Sequence, residues 1–189
     1  GDDIWFPRLL QAIAGAALCA LLWILGRRLF SSRVCLAAAL GAAANGPLIY
    51  FGGELLPTTL AALLDLILLW ALLRTPPAPT WRWLLPGTVL GLSALAVANV
   101  LLFAPFVLWW LWHWAGPPTP APTRRPAAAR CGWFLLGMLL TLAPVSLRNA
   151  VVGGDFVLVS HNAGINFYIG NNAAYDGTVS IRPGREWDG

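Results

Sequence analysis

The sequence predicts an all-α polytopic membrane protein, with about six transmembrane or re-entrant helices followed by the start of an extracytoplasmic loop or domain. Three observations predict it. Of 189 residues, 58% are apolar and only 11% charged, where a soluble domain carries roughly 25% charged residues. The apolar residues gather into runs of membrane-spanning order, separated by short breaks of Arg, Gly or Pro. The few charges are sorted by sign from one break to the next. So little polar surface excludes a soluble globular domain, and the richness in apolar residues excludes disorder. Nucleic-acid binding is a poor reading of the basic balance, because the 12 basic residues, all Arg, form no continuous patch. Three cysteines, Cys19, Cys35 and Cys131, lie in or beside apolar runs and read as buried thiols rather than a disulfide framework.

The first run, Leu9 to Leu25, is closed by Gly26-Arg27-Arg28. Ser31-Ser32-Arg33 leads into an Ala- and Gly-rich run from Val34 to Phe51, which Gly52-Gly53-Glu54 breaks. Leu55 to Leu73 follows and ends at Arg74, and a Pro-rich loop then runs from Thr75 to Arg82. The block from Leu84 to Trp114 is too long for one comfortable span at 1.5 Å per residue. It reads as two short helices, Leu84–Val97 and Val100–Trp112, hinged at Asn99, the first partly re-entrant or buried in protein. Gly116 to Pro126 is a Pro-rich, basic, extended linker. The last run is Cys131 to Leu147, ended by Arg148-Asn149. Residues 1–149 therefore form the helical bundle and residues 150–189 the start of the polar outer region, where Asp155 to Ser160 reads as a strand and the following stretch is rich in Asn and Gly. The chain reads as a piece of a longer open reading frame.

Placing Arg27, Arg28 and Arg33 in the cytoplasm puts Arg74 and Arg82, then Arg124, Arg125 and Arg130, in the second and third cytoplasmic loops, as the positive-inside rule requires. The same map puts Asp2, Asp3, Glu54, Asp155, Asp176, Glu186 and Asp188 outside. The protein is then a multi-pass protein of the plasma (inner) membrane, with residues 150–189 extracytoplasmic. Carboxylates carry little weight in topology, so their one-sidedness points to a polar site on the outer face, or to simple avoidance of the Arg-rich side.

Glu54 stands in a short outer turn between two apolar helices. A carboxylate held there can act as a base or ligate a metal; the plain alternative is a solvated residue that suits a helix N-terminus. Asp65 lies inside a span, where it must be paired or neutral. A hydrogen-bonded packing residue is the ordinary reading, and an ion or substrate pathway the functional one. Arg8 and Arg148 sit at the outer ends of helices, where a guanidinium matches a lipid phosphate or simply snorkels. His113 and His161 lack metal-ligand spacing, no P-loop is present, and the Trp cluster from Trp109 to Trp114 reads as an interfacial belt.

Arg8-Leu9-Leu10-Gln11 through Gly26-Arg27-Arg28-Leu29-Phe30 resembles the second membrane segment of GT-C type glycosyltransferases, the polytopic enzymes of glycosyltransferase family 39 (dolichyl-phosphate-mannose-protein mannosyltransferase-like) and of the aminoarabinose-transferase kind. Gly91-Leu92-Ser93 through Asn99 to Pro105 resembles a second segment of that family. Pro144 to Asn149 with Gly164 to Asn172 resembles the start of its outer loop. The resemblance implies transfer of a sugar from a polyprenyl-phosphate donor to a protein, lipid or glycan acceptor, by a carboxylate-base inverting displacement. It implies catalytic roles for Glu54, Asp3 and Asp2, and donor contacts from Arg8, Arg148, Asn149, His161, Asn166, Tyr168 and Asn171. The usual base stands near the end of a preceding helix, so residues 1–189 alone are expected to be incomplete for catalysis. The implied partners are the lipid-linked donor and membrane lipid; no organic cofactor is implied, and a divalent metal is left open. Two other classes compete: a transporter or flippase using Asp65, and a non-catalytic membrane anchor.

Overall fold

The computed structural model describes residues 5–75, 79–113, 124–153 and 159. The chain divides into a unit of Gly1–Val159 and a second of Ser160–Gly189. Among the described residues every regular element is helical. The strand expected over Asp155 to Ser160 lies, apart from Val159, outside them.

Helix α1 (Trp5–Gly26) is 22 residues of almost unbroken apolar sequence, about 33 Å at the helical rise, enough to cross a bilayer. It ends where Gly26 meets Cys35; a Cβ on Gly26 would sit 3.0 Å from the Cys35 sulfur. Arg27 then folds back over the Trp23 ring at 4.8 Å, an interfacial cation–π contact. The run read as one segment from Val34 to Phe51 is broken into α2 (Ser32–Ala43) and α3 (Gly46–Gly53), bent by 44°. Asn45 causes the break: its side-chain Oδ1 accepts from the Leu48 backbone N–H at 3.0 Å and caps α3, with Pro47 set in the first turn where its missing N–H is harmless.

Helix α4 (Thr58–Arg74) brings the chain back and ends with Arg74 over Trp70. A single 3-10 turn, Thr80–Trp83, leads into α5 (Leu84–Ala96). The expected hinge at Asn99 is wider than one residue. Ala98–Phe103 forms a 3-10 segment before α6 (Ala104–His113) begins one residue ahead of Pro105. Proline fits the first turn of a helix and disfavours helix just before it, so it resets the start of α6. Helix α7 (Arg124–Gly153) has 30 residues. It takes in Arg124, Arg125 and Pro126, expected in the linker, and continues past Arg148 and Asn149, expected at its end. Pro126 is tolerated because it stands in the first turn.

Among the described residues, two helices, Trp5–Gly26 and Pro126–Gly153, are long and apolar enough to cross a membrane, and the bent α2–α3 pair would make a third. Large apolar side chains stand on the outside: Trp5 is 77% exposed, Leu102 76% and Val151 75%, as lipid-facing residues are.

The packing is uneven. Helix α1 packs on α2, α3 and α4, α4 leads to α5, and α7 covers α5, α6 and the 3-10 turn at Thr80–Trp83. The core lies in the second half, where Leu68, Leu72, Trp83, Leu90, Leu111 and Phe134 meet. Arg130, placed in a loop by the charge pattern, is instead buried on α7. Its Nε and Nη2 donate to the Leu111 carbonyl at 3.3 and 3.0 Å, where a cation suits the C-terminal end of α6.

Candidate functional site

The first half of the fold holds a cleft of about 620 Å³. One wall is a single stripe of α1, on which Arg8, Gln11, Ala12, Gly15 and Cys19 recur at helical spacing. The other wall comes from Ala42 and Ala43 at the end of α2 and from Leu48, Ile49, Gly52 and Gly53 of α3. Among the described residues lining it, Arg8 and Gln11 carry the strongly polar side chains, both at the end nearest the start of α1, and Thr59 of α4 adds a hydroxyl. Below them the wall is apolar or small.

The turn after α3 supplies the head of this cleft. Leu55 N–H donates to Gly52 O at 3.3 Å and Leu56 N–H to Phe51 O at 3.1 Å, the paired bonds of a Schellman closure. Its left-handed position, normally glycine, is taken by Leu55 at φ 57°, which costs about 1–2 kcal/mol. Carbonyls at a helix end need outside donors. Helix α1 provides them: Arg8 Nε donates to Gly53 O at 3.2 Å, and Gln11 Nε2 to Leu56 O at 3.0 Å. Two side chains one turn apart thus lock the turn to α1. Gln11 Oε1 is left buried without a hydrogen-bond partner among the described residues, a costly state for a polar atom.

Glu54 lies between the two clamped carbonyls, as the exposed C-cap of α3. It does not suit the helix dipole as expected, because a carboxylate belongs at an N-terminus and Glu54 closes a C-terminus. Among the described residues it makes no ion pair. Glu54 does not itself line the cleft; it is exposed, next in sequence to the residue whose carbonyl Arg8 holds.

Asp65 has a different environment. Its Oδ1 accepts from the Ser93 hydroxyl at 2.6 Å, and Ser93 is fully buried. The bond ties α4 to α5 and satisfies the carboxylate inside the bundle, the packing role the sequence favoured. Arg148 is exposed and Asn149 half-buried on α7, whose partners are α5, α6 and the Thr80–Trp83 turn; neither lines the cleft that Arg8 heads. Asp2, Asp3, His161, Asn166, Tyr168 and Asn171 lie outside the described residues. His113 is accounted for locally, with Nδ1 2.9 Å from Trp109 O and its ring against Trp109. No group of three metal-ligating side chains occurs among the described residues.

Gln11 was not singled out by the sequence reading. The signal was there: an amide three residues after Arg8 in an otherwise apolar run must share its helix face. Compared with protein-family models, curated proteins and solved structures, the chain matches none.

Proposed function

We propose that the protein belongs to a membrane glycosyltransferase that takes a sugar from a polyprenyl-phosphate donor at the outer face of the plasma membrane. The observation that carries this is the cleft: a cation and an amide at one end, an apolar groove below, and a carboxylate in the turn the cation clamps. From Arg8 to Cys19 the groove follows α1 for about 16 Å at the helical rise, a length and lining that suit an aliphatic chain. A lipid monophosphate has this form, an anion for Arg8 and a single apolar tail.

In this reading the acceptor hydroxyl oxygen attacks the anomeric carbon and its proton passes to the Glu54 carboxylate. The bond from that carbon to the phosphate oxygen breaks, and the electron pair leaves with the lipid phosphate. Arg8 stabilises the charge gathering there; its Nε donates to Gly53 O and its side chain lines the cleft. The arginine pattern supports an orientation with this end outside, and with it six membrane crossings or re-entries and residues 150–189 on the outer side.

The test is transfer of labelled sugar from polyprenyl-phosphate sugar by the full-length protein in vesicles. Glu54→Gln is expected to lower the rate by at least about 100-fold, the lower end for removal of a general base. Arg8→Gln is expected to slow it as well, while Asp65→Asn, which keeps the bond to Ser93, leaves it within about twofold. Full activity in Glu54→Gln overturns the assignment of the base. Loss of activity in Asp65→Asn, with Glu54→Gln silent, would point instead to a transporter built on Asp65.

A further inference from the structure

We infer that the C-terminal ends of α1 and α4 together form a binding site for the phosphate of an anionic phospholipid, independent of the chemistry proposed for the cleft. The two helices end in the same way. Arg27 lies four residues after Trp23 and stacks over its ring at 4.8 Å. Arg74 lies four residues after Trp70 and stacks over its ring at 5.3 Å. Residues four apart share a helix face, so each arginine folds back on its own tryptophan. The packing of the helices also brings the two pairs level. Gln11 bonds to Leu56 O, and a Cβ on Gly15 would meet Thr59. Helices α1 and α4 therefore run parallel, offset by about 45 residues. That offset sets Trp23 at the level of Leu68 and Arg27 at the level of Leu72, each within one helical turn of Trp70 and Arg74.

Both arginines are exposed, and among the described residues neither side chain makes a hydrogen bond or an ion pair. The chain supplies no acid here. No Asp or Glu occurs between Asp3 and Glu54, or between Asp65 and Asp155, so every turn at this end lacks a carboxylate. The counter-charge must come from outside. A guanidinium stacked on a ring keeps its N–H edge free, and that planar fork matches phosphate oxygens. The surroundings say that the anion arrives on a lipid. Ile24, Leu29 and Phe30 near Arg27, and Leu73 next to Arg74, are large, apolar and exposed, which suits acyl chains and not an acidic soluble partner. Tryptophan favours the same boundary between headgroups and hydrocarbon. Arg28 and Arg33 are exposed as well, but neither stacks on a ring. Arg130 is already taken up by the Leu111 carbonyl. The site is thus the two stacked arginines, and not the sum of positive charge at this end.

The experiment measures binding of phosphatidylglycerol and phosphatidylcholine to the full-length protein in detergent by native mass spectrometry. Phosphatidylglycerol is expected to bind about 25-fold more tightly, at about fivefold for each arginine near an anionic lipid. Arg27→Gln and Arg74→Gln each lower that preference about fivefold, and together they abolish it. Trp23→Leu with Trp70→Leu keeps every charge and lowers it about two- to fivefold, the worth of an exposed cation–π contact. Arg28→Gln with Arg33→Gln removes the same charge as the first pair and changes the preference less than twofold. The substituted arginines are exposed, so their variants keep the parent melting temperature. Equal binding of the two lipids by the parent overturns the inference. So does a preference that survives Arg27→Gln with Arg74→Gln. An equal loss from Arg28→Gln with Arg33→Gln overturns it too, because the preference would then follow net charge alone.

Discussion

The two halves of the bundle use small residues for opposite ends. Between α5 and α7, Gly87, Gly91 and Gly137 let two backbones come together until carbonyl oxygens occupy the space where Cβ atoms would be. Thr141 adds hydroxyl bonds to Gly137 O at 3.0 Å and towards Thr88 O at 3.5 Å. In a membrane, where lipid tails are as apolar as the helices, such close packing is what drives association. Between α1 and the α2–α3 pair, Gly15, Gly52, Ala12 and Ala42 line the cleft, and a Cβ on Gly15 or Gly52 would meet only Thr59, at 3.8 and 3.3 Å. Small residues alone therefore do not report tight packing. What matters is whether the facing helix closes the gap, and α3 is held off by its bend at Asn45 and by the turn clamped at Arg8 and Gln11.

The sharpest way to break this comparison is to make one substitution on both sides. Gly87→Ala or Gly137→Ala puts a methyl group against a backbone carbonyl that cannot rotate away. Each is expected to cost at least about 3 kcal/mol, the upper end for overpacking, read as a fall in melting temperature or loss of the folded species in detergent. Gly15→Ala is expected to be neutral or stabilising by up to about 1 kcal/mol, because the helix gains propensity without a clash. Equal losses at both sites would mean that the cleft is closed in solution.

Next in size is the bond between halves. Ser93→Ala removes the fully buried partner of Asp65 and is expected to destabilise by about 1–3 kcal/mol through the carboxylate left unsatisfied. Asp65→Asn keeps an acceptor for the Ser93 hydroxyl and should cost less. The smallest effect has the opposite sign. Leu55→Gly relieves the left-handed leucine and is expected to stabilise by at most about 1 kcal/mol, a gain offset by the freedom glycine adds to the unfolded chain. If it also lowers sugar transfer, the strain in this turn serves to present Glu54. If transfer is unchanged, the leucine matters only for its contacts.

Much of the helix content was legible in advance, because unbroken apolar runs leave the backbone no partner but itself. Where helices begin and end was less legible. Pro126 reads as a linker residue yet lies in the first turn of α7, since proline at that position removes no helical hydrogen bond. Asn45 reads as one polar residue in an apolar run, yet its side-chain acceptor divides that run into two helices. Within the site, Arg8 and Glu54 were visible as charges in apolar surroundings. Gln11 was not, because an uncharged amide draws no notice until a carbonyl is found for it. The Gly87-x-x-x-Gly91 spacing carried the α5 side of the α5–α7 contact, but spacing alone does not name the partner helix.

By itself the sequence determined that this chain is helical and suited to a membrane, and that its carboxylates are few and kept apart from most of its arginines. These follow from the cost of exposing apolar area to water and of burying charge, which act on each segment alone. Only the tertiary structure decided which charges are working partners. Asp65 is bound to Ser93 by the approach of α4 to α5, Arg130 is buried against the end of α6, and Arg148 rides on a helix that packs elsewhere. Arg8 and Gln11 meet the turn that carries Glu54 across 45 residues of chain. Such contacts depend on how helices are placed against one another, and no local pattern records that placement.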